Sequence, residues 1–123
     1  NKIINSLKSS NKWKNQFTFI EADEKLQPSW FGLPILINKK FISKKDKFLD
    51  YLNKCGIETR PIISGNFINQ KSVELYNLNP NKLKFKGAQE IEDRGFFIGI
   101  HTEPISNKKL SFISEKLLKI NEI

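Results

Sequence analysis

The protein is a chain of 123 residues with 21 basic and 13 acidic side chains, which gives a formal net charge of +8 at pH 7. Hydrophobic residues make up 38% of the chain, and no apolar run approaches the roughly 18 residues of a membrane-spanning helix, so a transmembrane role is excluded. The single cysteine, Cys55, excludes a disulfide framework and a cysteine-rich zinc module; because no leader sequence opens the chain, we expect a cytoplasmic protein.

The length is typical of one compact domain over residues 1–123. Because the chain contains no methionine and begins with Asn1, we expect it to be a piece of a longer polypeptide. Apolar residues at helical spacing, followed by Ser9 and Ser10, predict a connecting helix within residues 1–15.

Two strands are predicted next. Phe17 and Phe19 alternate with their neighbours at the period of a strand. Residues 30–37 form an apolar run that also predicts a strand. Since Pro34 has no N–H to donate, this second strand is expected at a sheet edge or with a bulge.

Helices and strands then alternate. Ser43 predicts the N-cap of an amphipathic helix that ends before Gly56 at the C′ position. Residues 57–63 and the very apolar residues 96–100 predict two more strands, the latter buried and central. Short helices are expected near residues 73–76 and 88–93. Ser106 predicts the N-cap of a last helix, with an apolar stripe of Leu110, Ile113, Leu117 and Ile120.

This order of elements predicts an α+β fold. Three or four strands are interleaved with helices that are apolar on one face only. We expect a two-layer sandwich in which helices pack on a small, mainly antiparallel sheet of three to four strands. Trp30 and Phe31 are predicted to fill the core, and Cys55 to be an inert buried thiol.

The positive charge leaves two interpretations open. Arg60 and Arg94 are the only arginines, whereas proteins that bind bases and phosphates favour the guanidinium group. The lysines are concentrated in two segments, Lys39, Lys40, Lys44, Lys45 and Lys47, and then Lys82, Lys84 and Lys86. They indicate a solvated surface or, as an alternative function, a non-enzymatic basic module that binds nucleic acid.

Few residues form a motif with specific chemistry. The chain has no phosphate-binding glycine motif and no Gly-x-Ser-x-Gly sequence. His101 and Glu103 form a His-x-Glu triplet, but no cysteine follows to complete the motif of zinc deaminases, so no metal site is predicted. His101 directly follows the most apolar strand, where a polar side chain meets solvent or a ligand.

The sequence Ser64-Gly65-Asn66 predicts a glycine turn that leads into a helix. Such a turn offers free backbone N–H groups and the positive end of a helix dipole to a phosphate. Arg60 lies just before it and is expected either to bind an anion or to pair with an acidic neighbour.

Three separated segments resemble one family in order and spacing. They are PSWFGLP at 28–34, GIETRPIISGNF at 56–67 followed by Gln70, and GFFIGIH at 95–101. Together they resemble the C-terminal domain of the DegT/DnrJ/StrS nucleotide-sugar aminotransferases over essentially the whole chain.

The resemblance implies a small α+β domain beside a large domain that binds pyridoxal or pyridoxamine phosphate, usually in a homodimer. The family's cofactor lysine and its aspartate belong to that large domain. No residue of this chain is therefore assigned as catalytic or cofactor-binding, no cofactor is expected on the chain alone, and the chain alone is expected to be inactive.

The implied substrate is a nucleotide-linked 4-keto-6-deoxyhexose of surface-polysaccharide synthesis. Aminotransferases of the family tend to follow the Thr-Arg pair with a His-Tyr motif, whereas this chain continues from Arg60 to Ser64-Gly65-Asn66, which is more similar to the pyridoxamine-phosphate 3-dehydratases. Transamination and dehydration both stay open. The resemblance implies substrate contacts by Arg60, Ser64, Gly65, Asn66 and Gln70, with His101 and Glu103 nearby. Arg60→Ala and Asn66→Ala are expected to weaken substrate use with little loss of fold.

Overall fold

The computed structural model describes residues 2–20, 22–78 and 82–123. Its helices are α1 Lys2–Lys8, α2 Lys45–Lys54, α3 Lys71–Leu75, α4 Lys86–Arg94 and α5 Asn107–Leu118. Its strands are β1 Phe17–Phe19, β2 Gly32–Ile37, β3 Thr59–Arg60 and β4 Gly95–Gly99. Short 3₁₀ helices span Lys39–Lys44, Phe67–Asn69, Lys82–Phe85 and Lys119–Asn121.

Within the described residues the strands form a four-stranded antiparallel sheet in the order β1-β2-β4-β3. Gly32 lies opposite Gly99 across β2 and β4, and Arg60 lies opposite Phe97 across β3 and β4. The prediction of an α+β fold with a small antiparallel sheet is confirmed, and so is the central position of the strand that contains residues 96–99.

One face of the sheet carries the hydrophobic core. Alternate strand residues point to the same face, so Ile35, Ile37, Phe96 and Ile98 are buried together. The helices cover this face with the buried side chains Leu7, Phe48, Leu52 and Leu117. Each large apolar side chain that is removed from water stabilises the fold by about 1.5–3 kcal/mol, so this layer dominates the packing energy.

Helix α1 is shorter than the predicted segment 1–15, because it ends at Lys8. It packs against α5, and the hydroxyl of Ser114 donates a hydrogen bond of 2.9 Å to the hydroxyl of Ser6. The predicted stop at Ser9 and Ser10 therefore agrees with the structure, while the rest of the segment leads into β1 as a turn.

The predicted edge position of the strand with Pro34 is wrong, since β2 lies between β1 and β4. Asn38 donates its N–H to the carbonyl of Gln16 on the β1 side at 2.7 Å. Pro34 is four residues earlier, so strand alternation turns its nitrogen toward the same side. The pairing with β1 ends at Ile35 opposite Phe19, and Pro34 therefore removes no hydrogen bond from the sheet.

Helix α2 begins differently from the prediction. Ser43 is not its N-cap: it lies inside the preceding 3₁₀ helix, and Lys44 precedes α2 without a side-chain capping bond. The chain is already turning there, so the N–H of Lys45 bonds to the carbonyl of Ile42 and needs no cap. The prediction for the other end is confirmed, because Gly56 follows the C-cap with a φ of +80°.

Strand β3 has two residues in place of the predicted strand over residues 57–63. Pro61 follows directly and has no N–H for a further ladder bond. The N–H of Gly65 then bonds to the carbonyl of Ile62 at 3.0 Å, which turns the chain away from the sheet.

The predicted N-cap of the last helix, α5, is confirmed, since the Ser106 hydroxyl accepts the N–H of Lys109 at 3.3 Å.

None of the helices within the described ranges has the length and apolar character of a membrane span.

Candidate functional site

The turn after β3 is held at its start by α2 and closed by its own side chains. Asn53 of α2 accepts the N–H of Thr59 and donates to its hydroxyl, both at 2.9 Å. Farther along, the amide of Gln70 donates a hydrogen bond of 2.9 Å to the carbonyl of Ser64. Residues 64–70 therefore form a compact loop rather than the end of a strand.

Helix α4 anchors this loop through two polar side chains one turn apart. Glu92 accepts the N–H of Asn66 at 2.6 Å and the amide of Asn69 at 2.9 Å. Gln89 accepts the amides of the same two asparagines at 3.0 and 2.9 Å. Asn66 is only 2% exposed, so its amide acts inside the protein.

Gly65 is required here by both its conformation and its surroundings. Its φ of +60° is unfavourable for a residue with a side chain. A Cβ at this position would lie 2.7 Å from a carboxylate oxygen of Glu92, well inside van der Waals contact. The glycine thus allows the loop to lie directly on α4.

A pocket of about 310 Å³ lies beside this loop. Ser64, Asn69, Gln70 and Glu92 form its polar wall, and Ile62 and Ile91 contribute apolar surface. A second pocket of about 350 Å³ is mainly apolar and includes Phe67, Val73 and Leu78. The first pocket is the one that combines several of the predicted site residues with hydrogen-bonding groups.

The prediction of free N–H groups for a phosphate is wrong for this turn. The N–H of Gly65 bonds to Ile62, and that of Asn66 bonds to Glu92. Helix α3 behind it has only five residues, which gives it little dipole to offer. The physical reason is that the Glu92 carboxylate already accepts the Asn66 N–H, which the sequence predicted to be free for a phosphate.

Arg60 pairs with an acidic neighbour, which was one of its two predicted alternatives. Its Nη2 and Nε donate to the same carboxylate oxygen of Glu58 at 2.8 and 2.9 Å. Both side chains are exposed. Such a pair contributes little to stability, so Arg60 can exchange Glu58 for another anion at small cost.

His101 and Glu103 are exposed and lie in the loop that follows β4. The pocket beside the loop of residues 64–70 is lined by Gly95, which is at the other end of that strand. Five strand residues separate the two groups by on the order of 13 Å. The structure therefore does not bring His101 and Glu103 to the pocket.

The prediction that Trp30 and Phe31 fill the core is wrong. They are 44% and 74% exposed, and they directly precede β2. The Phe31 ring meets the Phe97 ring edge to face, with centroids 5.5 Å apart. Cys55 was predicted to be buried, but it is only half-buried at the end of α2.

The first lysine segment is used largely within the protein. Lys39 pairs with Glu90, and Lys44 donates to the carbonyl of Ile120 at 3.2 Å. Lys45 donates to the carbonyls of Glu92 and Asp93 at 2.8 and 2.9 Å, and burial lowers its pKa. These contacts account for much of the clustering without a polyanion; of the second segment, the side chain of Lys82 lies outside the described residues.

No group of three metal-binding side chains occurs among the described residues, so these residues do not contradict the prediction that the chain has no metal site.

Sequence reasoning missed Glu92, Gln89 and Asn69. The one sequence signal for them is Gly65 within the family-like segment, because such a glycine implies close approach by another part of the chain.

Comparison with known proteins gives matches that agree with this architecture, although no family model matches the chain. A GDP-4-keto-6-deoxy-D-mannose 3-dehydratase of Escherichia coli O55:H7 is 30% identical over 91 residues, which is 74% of this chain and 24% of the relative. The chain therefore spans about a quarter of the length of this curated relative.

Solved structures show the same fold. The E. coli GDP-4-keto-6-deoxy-D-mannose-3-dehydratase with bound hydrated PLP has a TM-score of 0.69 and 24% identity, and the match covers 94% of this chain and 28% of that one. Helicobacter pylori PseC, an aminotransferase involved in the biosynthesis of pseudoaminic acid, has a TM-score of 0.70 and 22% identity over 98% of this chain and 32% of that one. Taken with the three ordered motifs, these matches show that the chain belongs to the DegT/DnrJ/StrS-like family of pyridoxal phosphate enzymes.

Proposed function

We propose that this chain is the small domain of an enzyme that removes the 3-hydroxyl group of a nucleotide-linked 4-keto-6-deoxyhexose in surface-polysaccharide synthesis. One observation carries the proposal: the family-like segment at residues 56–70 contains β3 and the loop of residues 64–70, and this loop borders the 310 Å³ pocket. The curated relatives that match this chain include a 3-dehydratase of a GDP-linked sugar of this class.

The dehydratase branch is favoured over transamination by Gly65 and Asn66. The aminotransferases of the family tend to follow the Thr-Arg pair with a His-Tyr motif, whereas this chain has Gly65 and Asn66 in the loop after Arg60. In this protein a side chain at residue 65 would collide with Glu92, and Asn66 is bonded to Gln89 inside the protein. The Gly-Asn pair is thus built into the contact between the loop and α4.

In this proposal, Arg60, Ser64 and Gln70 contact the substrate, while Gly65 and Asn66 position the loop. Arg60 is the exposed cation at the end of β3, and Ser64 and Gln70 line the pocket. His101 and Glu103 would contact a substrate only from the opposite end of β4 and are assigned no role in the pocket.

The cofactor of the whole enzyme would be pyridoxal or pyridoxamine phosphate, which supplies carbanion stabilisation when bound. The turn at Gly65 and Asn66 and the partly buried Lys45 do not fit this group. The N–H groups of Gly65 and Asn66 are already bonded, and the Lys45 ammonium is bound to backbone carbonyls. No residue of this chain is therefore assigned to it.

The resemblance predicts a homodimer, which light scattering would test. The sequence predicts a cytoplasmic location, which cell fractionation would test.

The test uses the product of the longest open reading frame that contains this sequence, and this polypeptide is supplied with pyridoxamine phosphate and GDP-4-keto-6-deoxymannose. We expect mass spectrometry to show a 3-deoxygenated sugar nucleotide, and the 123-residue chain alone to give no product. An amino sugar as product would assign the transaminase branch. Failure to convert any nucleotide-linked 4-keto sugar would contradict the proposed function.

A further inference from the structure

The pocket beside the loop is electronegative, although the chain as a whole carries +8 charges. The Glu92 carboxylate forms part of its wall, together with Gly95 directly after the end of α4. A helix C-terminus carries a partial negative charge, which adds to that of the carboxylate. The described residues that line the pocket include no lysine or arginine.

The neighbouring cations do not reverse this balance. Lys45 binds the carbonyls at the end of α4 and offsets some of the helix dipole, but it does not line the pocket. Arg94 donates to the carbonyl of Ile37 at 2.8 Å and pairs with Glu90. Arg60 is paired with Glu58. A diphosphate in this pocket would face the Glu92 carboxylate, and no lysine or arginine lines the pocket to bind it.

The same pocket suits a neutral group that carries several hydroxyls. Glu92, Asn69 and Gln70 present carboxylate and amide oxygens, which accept hydrogen bonds from hydroxyls, and Ser64 both donates and accepts. Ile62 and Ile91 offer apolar surface to the C–H faces of a sugar ring. The volume of about 310 Å³ is at the small end of ligand pockets, which fits one ring better than a whole sugar nucleotide.

We infer that this pocket receives the hexose ring of the nucleotide sugar, with Glu92 accepting a hydrogen bond from a ring hydroxyl, and that the diphosphate lies outside it. The inference rests on the proposed function and specifies which part of the substrate this chain recognises. It reverses the sequence-based expectation that the turn binds a phosphate.

The test is NMR on the isotope-labelled chain with four probes: GDP-mannose, GDP, methyl mannoside and inorganic phosphate. We expect GDP-mannose to shift the backbone amide signals of Ser64, Asn69 and Gln70. In saturation-transfer difference spectra, the hexose protons of GDP-mannose should receive most of the saturation from the protein. GDP and phosphate should shift these amides at least tenfold more weakly. Methyl mannoside should shift the same amides as GDP-mannose, at higher concentration.

Variants connect the shifts to the pocket. Glu92→Gln should weaken the binding of GDP-mannose at least fivefold, while Glu74→Gln, an exposed position on α3, should leave it unchanged. Because Glu92 also holds the loop, Ser64→Ala is a second variant; its exposed hydroxyl makes no described hydrogen bond within the loop, so its loss should weaken sugar binding without unfolding.

The two hypotheses fail in different ways. If GDP or phosphate shifts the pocket amides as strongly as GDP-mannose, or if saturation falls on the guanine alone, the hexose assignment is wrong and the proposed function stands. If GDP-mannose shifts no amide of the chain at millimolar concentration, the hexose assignment is also wrong, whereas the proposed function is overturned only by the lack of turnover in the longer polypeptide.

Discussion

The carboxylate of Glu92 accepts the backbone N–H of Asn66 at 2.6 Å, across 26 residues of sequence. Its other oxygen accepts the side-chain amide of Asn69. One side chain of α4 thus fixes two points of the loop that carries the family-like segment. Because a charged acceptor forms stronger hydrogen bonds than a neutral one, Glu92 holds the loop more strongly than Gln89 does.

Glu92→Ala should destabilise the protein by about 1–3 kcal/mol, because it leaves the N–H of Asn66 without its acceptor. Hydrogen exchange at the Asn66 amide should accelerate more than exchange in the β4 strand. Urea denaturation and exchange followed by NMR measure the two effects. Glu74→Ala is the matched control and should change neither, and equal protection of Asn66 in both variants would show that another group holds the loop.

Gly65→Ala and Gly56→Ala separate conformational strain from collision. Both glycines have positive φ, at +60° and +80°, so both substitutions carry a backbone cost of about 1 kcal/mol. A Cβ on Gly56 meets no atom within 4 Å, whereas one on Gly65 meets Glu92 at 2.7 Å. Gly65→Ala should therefore lower the free energy of unfolding by roughly 1–3 kcal/mol more than Gly56→Ala, as overpacking does. Equal urea midpoints for the two variants would exclude the collision.

Local patterns in the sequence were enough to predict most elements of the fold. The alternation of Phe17 and Phe19, the glycine stop at Gly56 and the Ser106 cap depend on neighbours within a few residues, and the structure has all three. The errors occur where distant parts of the chain decide. Pro34 is tolerated in a central strand because β1 ends before reaching it, and that strand length is not visible from the residues around Pro34.

The site was harder to predict for the same reason. Ser64, Gly65 and Gln70 could be recognised from a contiguous motif, and they do lie together at one pocket. Glu92 belongs to a helix whose sequence only shows ordinary amphipathic spacing, so its contact with Asn66 required the fold. The Glu92 carboxylate also places a negative charge beside the turn that the sequence predicted to bind an anion.

Arg60→Ala and Asn66→Ala should differ in stability, contrary to the expectation from sequence that both leave the fold intact. Arg60 is exposed and paired only with Glu58, so its removal should change the free energy of unfolding by no more than about 0.5 kcal/mol. Asn66 is 2% exposed and bonded to Gln89, so its removal should cost about 1–3 kcal/mol.

In the longest encoded polypeptide, Arg60→Ala should weaken substrate use with an unchanged thermal midpoint, whereas Asn66→Ala should lower both. Thermal denaturation and initial rates measure the two quantities on the same samples. Lys47→Ala, an exposed position on α2, is the control for loss of a positive charge. If Arg60→Ala matches it in rate, Arg60 does not contact the substrate.

Glu90 should make part of the stability depend on pH. Its pKa is lowered from 4.5, chiefly by the hydrogen bond from Lys39 and further by that from Arg94, while burial acts in the opposite direction. The unfolded chain therefore binds the proton more readily than the folded one. The stabilisation is fully present above the unfolded pKa and is lost as the pH falls through the lowered folded pKa.

Glu90→Gln removes this titration, so the variant should be less stable than the natural chain at pH 7, and the difference should shrink as the pH is lowered from 5 to 3. Urea midpoints at several pH values measure it. Glu24→Gln, in an exposed loop, should follow the natural chain at every pH. A difference between Glu90→Gln and the natural chain that stays constant from pH 7 to pH 3 would mean that the Lys39 and Arg94 contacts contribute nothing through the charge of Glu90.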